Sequence, residues 1–347
     1  MLLFHVSACT NIMTNLLQKK IQDRHGRSFN YLRLAINERC NLRCIYCMSE
    51  DRVFPPNQNL LQSNEIKRII DLVAKMGVTK IRFTGGEPLL HPDIVSFVQH
   101  ASQNPNIQSV HLTSNATLLK NKVKTLVQAG LDGINISIDS FDEDNFFAIT
   151  RRKNQIENVQ RGIQDALQYP ISIKLNMVVM RNLNHQEILD FVRYTKENAL
   201  TVRFIELMPF DEQQIWKTGR FFHSDKILAV IKDSYSELEP LSGTATEHIR
   251  FKIPTHRGDI AIIPSYSRNI CGTCNRFRIT ADGKIRNCLY AKSEQDILKL
   301  LRDNATDDDI AQVIYSSMLK KPIDGWSAQK ESTVPEKSRT SMSQIGG

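Results

Sequence analysis

Lys80-Ile-Arg-Phe-Thr-Gly-Gly-Glu-Pro88 is the stretch from which the fold is read. Lys80, Arg82 and Thr84 alternate with Ile81 and Phe83, so a strand here has one polar and one apolar face. It ends in paired glycines, which let a backbone approach a ligand closely. Four other segments repeat the alternation. Arg33 opposes Leu32, Leu34 and Ile36, while His111 and Thr113 oppose Val110 and Leu112. Asn135, Ser137 and Asp139 oppose Ile134, Ile136 and Ile138; Ser172, Lys174 and Asn176 oppose Ile171, Ile173 and Leu175. Strand patterns at 31–37, 79–84, 109–113, 133–139, 171–179 and 201–207 are separated by helical ones at 63–76, 93–103, 118–129, 155–168 and 185–198. That order implies a parallel sheet flanked by helices.

A doubly wound sheet is buried on both faces and reads apolar throughout. One polar face on five consecutive strands fits a sheet curled into a barrel with a polar, ligand-filled interior. Six strand–helix units fall short of an eightfold barrel, so the expected class is α/β, an incomplete (β/α)6 TIM-like barrel. The sixth strand, Arg203-Phe-Ile-Glu-Leu207, does not keep the parity. Ser63 is the expected N-cap of the first helix, with Gly77 just past its end.

After Pro209 the pattern changes to a helix at 223–233, short strands in 248–263 and a hairpin over 277–289 turning at Ala281-Asp-Gly283. Helical stretches near 294–302 and 307–320 follow. The expected organisation is a disordered leader at 1–16, the barrel at 17–220 and a C-terminal α+β region at 221–347. The Ser-, Lys-, Gln- and Gly-rich end from Lys321 reads by composition as a floppy tail. Val6-Ser-Ala-Cys9 imitates a lipoprotein cleavage box, but Met1–Val6 has no Lys or Arg and too short an apolar run; Met13 is a candidate start.

The 45 Lys and Arg exceed the 37 Asp and Glu by eight. Concentrated in a cleft, that excess favours an anionic substrate or nucleic acid. No stretch is apolar enough to span a bilayer. Six of the seven cysteines form two triplets, Cys40/Cys44/Cys47 and Cys271/Cys274/Cys288. Clustered cysteines in a large chain indicate metal binding in a reducing cytoplasm, since disulfide frameworks belong to small secreted domains.

The first triplet lies in Arg39-Cys-Asn-Leu-Arg-Cys-Ile-Tyr-Cys-Met48, a C-x3-C-x2-C loop after the first strand. Thiolates favour zinc or iron–sulfur clusters. Closed zinc needs a fourth ligand, and the nearest histidines, His25 and His91, are distant in sequence. With Gly85-Gly-Glu-Pro88 downstream, the chain resembles the radical S-adenosylmethionine superfamily. The second triplet reads on spacing either as a zinc knuckle completed by His248 or His256, or as a second cluster. Beside it, Arg276 and Arg278 share one strand face and read as an anion clamp.

From about Leu17 to Gly347 the chain resembles the GTP 3′,8-cyclases, the radical enzymes that open molybdenum cofactor synthesis. The matching stretches are Gly26-Arg27, Tyr31-Leu-Arg33, Lys80–Pro88, Asn135–Ser140, Thr150-Arg-Arg152, Arg203–Pro209, the Cys271–Cys288 block and Met342–Gly347. The resemblance implies two [4Fe–4S] clusters, one on Cys40, Cys44 and Cys47 and one on Cys271, Cys274 and Cys288. It implies S-adenosylmethionine contacts at Tyr46, Gly86, Ser137 and Met208. GTP would lie among Arg33, Lys80, Arg82, Thr113, Lys174 and Arg203, with Arg276 and Arg278 acting in catalysis and Gly346-Gly347 reaching the same chamber. The implied reaction is removal of the 3′-hydrogen of GTP by a 5′-deoxyadenosyl radical, then closure of C3′ onto C8. The implied partners are GTP, an electron donor, the downstream cyclic pyranopterin monophosphate synthase and a second copy in a homodimer, with no membrane or nucleic acid.

One departure stands out. Thr113-Ser-Asn-Ala116 replaces the family's Thr-Thr-Asn-Gly, so Ala116 lacks glycine's freedom at positive φ and the loop is expected to differ. Two other readings are a radical peptide maturase with an auxiliary cluster, and a zinc-stabilised nucleic-acid-binding protein. The first would carry more C-terminal cysteines; the second would interleave aromatics with exposed cations.

Overall fold

The computed structural model describes residues 17, 19–209, 215–244, 247, 249–267, 271–330, 339 and 341–346. The leader with Cys9 and Met13, His248 and Gly347 lie outside the described residues.

β1 (Tyr31–Ala35), β2 (Lys80–Thr84), β3 (Ser109–Ser114), β4 (Gly133–Ser137), β5 (Ser172–Val179) and β6 (Thr201–Glu206) lie side by side, all parallel. Their apolar faces, with Leu32, Leu34, Ile81, Phe83, Leu112, Ile134 and Leu175, share one core with α1 (Ser63–Lys75), α2 (Ile94–Gln103), α3 (Val123–Gln128), α5 (Ile156–Ala166) and α6 (Ile188–Glu197). A further helix, α4 (Glu143–Thr150), precedes α5. The alternation of expected elements missed it because it is short; its start is fixed by Asp142, whose carboxylate accepts from Asn145 N at 2.9 Å.

Two local expectations are corrected. Gln62, not Ser63, caps α1: Gln62 is extended, and its N–H donates to Glu65 Oε2 at 2.7 Å. Ser63 is already helical and its hydroxyl donates to Asp93 Oδ2 at 2.5 Å. The helix expected over 118–129 is confined to α3, because Ala116 (φ 60°) and Asn121 (φ 65°) turn the preceding chain left-handed.

The C-terminal part supplies α7 (Ser224–Ser234), β7 (Glu239–Leu241), β8 (Ile249–Lys252), β9 (Asp259–Ile263), β10 (Arg276–Ile279), β11 (Lys284–Arg286), β12 (Gln295–Asp296), α8 (Leu298–Arg302), α9 (Asp307–Leu319) and α10 (Gly325–Lys330). β10 and β11 form the expected hairpin. The strands also join the barrel sheet. β10 pairs parallel with β1 and β9 pairs parallel with β6, so the described sheet runs β12-β11-β10-β1-β2-β3-β4-β5-β6-β9-β8-β7. Its two edge strands, β12 and β7, do not meet. The barrel is incomplete and TIM-like, with C-terminal strands extending both edges.

The register also explains the sixth strand. Arg203 and Ile205 stand opposite Asn176 and Val178, on the inner face. Glu206 is turned outward and fully buried, accepting from Ser224 N at the start of α7 and from Tyr266 N, each at 2.9 Å. The parity is kept; an apolar residue inside and a capping acid outside disguise it.

Candidate active site

Parallel pairing sets inner-face residues in lateral rows about 4.8 Å apart. One row runs Arg286, Arg278, Arg33, Arg82 and His111 across five adjacent strands. A second runs Thr113, Asn135 and Lys174. Like charges side by side are mutually unfavourable, and every member of this row is buried except Arg33, which is half-buried. The cost is visible on its members: burial, then neighbouring arginines, bring Arg33 down to about 10. Burial followed by Arg82, Lys80, Lys174 and Arg203 brings His111 down to about 2, leaving it a neutral imidazole. Burial alone would raise Tyr31, but Arg82, Arg33, Lys80 and Arg276 bring it down to about 8.

These strands line a cavity of about 310 Å³. Into it face Arg33, Arg82, Thr113, Ser137, Arg203, Arg276 and Arg278, Tyr46, Gly86 and Met208, and all six clustered cysteines. Among the described residues, Arg33 Nε, Arg82 Nε and Nη1, Thr113 Oγ1 and Asn135 Oδ1 are buried with no hydrogen-bond partner. Buried polar atoms without partners are costly, so this wall is built for a polar, anionic ligand. Lys80 and Lys174 share the inner face but stand outside the cavity lining. The Lys80 ammonium lies 5.3 Å from the centre of the Tyr31 ring. Lys174 is ion-paired with buried Glu247, which also lies 3.6 Å from Arg203.

The paired glycines line the cavity and also serve a contact within the chain. A Cβ on Gly85 would sit 2.3 Å from Asn37 O, and one on Gly86 2.2 Å from Arg39 O. They let the end of β2 pack on the chain entering the first cysteine loop, where Gly86 N donates to Asn37 O at 3.0 Å. Glu87 ties the same corner to the loop after β3, its carboxylate accepting from Ser114 Oγ (2.8 Å) and Asn115 N (2.7 Å). Burial raises Glu87 to about 7. The loop itself is pinned to α4: Arg43 N donates to Thr150 O at 3.0 Å and Ile45 N to Ile149 O at 2.9 Å.

The two triplets differ in their electrostatics. Burial, helped by Glu87, pushes Cys40 up to about 12, and burial pushes Cys47 up to about 11. Burial and Asp139 raise Cys44 well above the ordinary range. Cys274 goes the other way: burial opposes it, yet Lys321 and Arg276 bring it down to about 6. The histidines proposed for zinc are engaged elsewhere. His256 meets Thr195 Oγ1 at 2.8 Å beside β9, on the sheet edge away from the β10–β11 hairpin. His91 packs on Phe97 at 4.9 Å. Among the described residues no three His, Cys, Asp or Glu side chains close on one point as ligands of a single ion do. A four-iron cube takes each thiolate on a different iron, and all-sulfur donor sets of this kind fit it.

Sequence reasoning missed several residues. Asp139, noted only for its strand parity, accepts from Tyr46 OH at 2.7 Å and from Val178 N at 2.8 Å, and burial raises it to about 6. Asn115 donates to Cys40 Sγ at 3.6 Å and to Asn41 Oδ1 at 2.9 Å. The tail departs furthest from its composition. Arg339 is held by Asp282 at 2.9 Å and Glu294 at 2.6 Å. Met342 N donates to Cys47 O at 3.3 Å, and Arg278 Nη1 donates to Gly346 O at 2.9 Å. For residues 341–346 the floppy-tail expectation is overturned, since these contacts fasten them to the cavity wall.

Residues 34–195 match the radical SAM superfamily and residues 200–325 match the family described as molybdenum cofactor synthesis C. The fold agrees with Native anSMEcpe with bound AdoMet (TM-score 0.59, 15% identity, 88% of this chain and 84% of that one). It also agrees with Streptococcus suis SuiB bound to S-adenosylmethionine (TM-score 0.58, 15% identity, 85% and 69%). Fold and cysteine-lined cavity together define a radical SAM protein. The chain is 44% identical to a GTP 3′,8-cyclase of Chlorobaculum tepidum over 95% of its length and 98% of the relative's, and 38% identical to that of Desulforamulus reducens over 94% and 99%. It is also 39% identical to molybdenum cofactor biosynthesis protein 1 of Homo sapiens, over 87% of this chain and 48% of that protein. The chain belongs to the GTP 3′,8-cyclase family.

Proposed function

We propose that this chain converts GTP to (8S)-3′,8-cyclo-7,8-dihydroguanosine 5′-triphosphate, the first step of molybdenum cofactor synthesis. The observation that carries this reading is the Arg278–Arg33–Arg82 row beside two three-thiol sites in one cavity. A triphosphate brings about four negative charges, which offset that row and give the orphaned donors their partners.

Cys40, Cys44 and Cys47 would hold one [4Fe–4S] cluster, and Cys271, Cys274 and Cys288 a second. When bound, the first cluster and S-adenosylmethionine supply a 5′-deoxyadenosyl radical to the 3′-hydrogen of GTP. Tyr46, Gly86, Ser137 and Met208 position S-adenosylmethionine; Asp139 holds the Tyr46 ring in place through its hydroxyl. Arg33, Arg82, Thr113 and Arg203 bind the nucleotide from β1, β2, β3 and β6, and Arg276 and Arg278 from β10 beside β1. Lys80 and Lys174 are assigned to its outer charge. Gly346 and Gly347 are assigned to the nucleotide as well. We assign residues 17–220 to the barrel, 221–347 to the auxiliary region and 1–16 to a leader.

Among the described residues no helix is long and apolar enough to cross a membrane. A cytoplasmic location follows from thiols that must stay reduced. An electron donor, a pyranopterin monophosphate synthase that consumes the product, and a homodimer complete the proposal. Oxygen-free incubation with GTP, S-adenosylmethionine and a reductant is the test. The expected products are 5′-deoxyadenosine and the cyclised nucleotide; material containing zinc but no labile sulfide, and forming neither, overturns the reading.

A further inference from the structure

The second cysteine triplet is framed by two basic residues from outside its own motif. Arg27 donates to Cys271 O at 2.9 Å and to Pro322 O at 2.7 Å, and its charge is met by Asp23 at 2.6 Å. Lys321 is different. Its ammonium donates to Arg276 O at 3.2 Å and to Asn287 O, and lies 5.1 Å from the centre of the Phe29 ring. Arg276 is two residues beyond Cys274, and Asn287 directly precedes Cys288. One side chain therefore holds both arms that carry these cysteines.

Lys321 is 3% exposed and faces the cavity. Among the described residues no carboxylate forms an ion pair with it. Buried cations are normally paired, because removing an unpaired charge from water costs several kcal/mol. Carbonyl dipoles and an aromatic face reduce that cost without cancelling the charge. The two carbonyls that hold the ammonium lie beside Cys274 and Cys288, and its charge is felt at Cys274 ahead of that of Arg276.

We propose that Lys321 is the resident counter-charge of the second iron–sulfur cluster, a positioning residue that ties its two ligand arms together and favours its reduced form. The inference rests on the cluster reading above. A cube held by three thiolates is anionic and gains one further negative charge on reduction, so a fixed cation beside it raises the reduction potential. At the first triplet Arg43 donates to Cys40 O at 2.7 Å, but that triplet also has the carboxylates of Glu87 and Asp139 beside it.

The test uses the full chain with Cys40, Cys44 and Cys47 all replaced by alanine, so that iron and paramagnetic signal report the second site. Lys321→Met and Lys321→Arg are reconstituted without oxygen, assayed for iron and sulfide, and titrated potentiometrically by electron paramagnetic resonance. The expected result is a lower midpoint potential for the methionine variant and a midpoint near the parent's for the arginine variant. Loss of iron in the methionine variant with retention in the arginine variant also supports the charge. Equal midpoints with full iron in both variants, or equal loss of iron in both, overturns it. A parent chain that binds no iron there instead overturns the cluster reading itself.

Discussion

The two cysteine triplets offer the same three thiols to the same cavity, yet their surroundings differ: burial raises Cys271 as it does the first three thiols, whereas nearby cations draw Cys274 down. The first is buried beside carboxylates and under loops from β2 and β3, and its thiols are hard to ionise. The second sits on a hairpin among Lys321, Arg276 and Arg286, and one thiol ionises easily. Equal ligand counts therefore do not make equal sites.

The largest expected effect divides the triplets by product. Cys44→Ser abolishes 5′-deoxyadenosine formation altogether. Cys274→Ser leaves uncoupled 5′-deoxyadenosine and removes the cyclised nucleotide, with both products read by chromatography of one anaerobic reaction. Loss of both products in both variants would break the comparison. Next, Arg82→Ala lowers kcat/KM for GTP by roughly 10- to 150-fold, about 1.5–3 kcal/mol for a charged hydrogen-bonding partner, with iron and sulfide content unchanged in both sites. Unchanged GTP affinity would remove Arg82 from the nucleotide site.

A third prediction concerns the metal-free chain at pH 7. The thiolate is the reactive form, so a group at about 6 is mostly ionised there while groups at about 11 and 12 are not. Iodoacetamide is expected to label Cys274 first, with Cys40 and Cys47 following only as the pH rises, as mapped by peptide mass spectrometry. Equal labelling of all three at pH 7 would erase the electrostatic contrast. The smallest effect lies between the sites. Ala116, fully buried, holds the left-handed backbone (φ 60°) at which glycine is favoured. Ala116→Gly is expected to stabilise the fold by about 1 kcal/mol in denaturant unfolding, through relief of that strain.

Much of this was legible because it is local. Strand parity placed Arg33, Arg82, Thr113 and Ser137 inside a barrel, and cysteine spacing marked both sulfur sites. The departure at Ala116 was visible too, although the loop keeps the left-handed turn rather than abandoning it. What stayed hidden depends on residues far apart in sequence. No pattern within β9 or β10 says that they pair with β6 and β1. Nothing in Lys321 announces that it bonds to the backbone at Arg276 and Asn287. The glycines of β2 were recognised, but their contact at 2.2–2.3 Å is with Asn37 and Arg39, which only folding brings there. Glu206 disguised a strand because its partners come from two later segments.

Ser341, Met342 and Ser343 close over Cys47, almost three hundred positions after it in the chain. During synthesis on the ribosome the sulfur loop therefore emerges long before the residues that cover it. Until those residues emerge, the three thiols of the loop stand without that wall, and the last side of their surroundings is set only when the far end of the chain folds back.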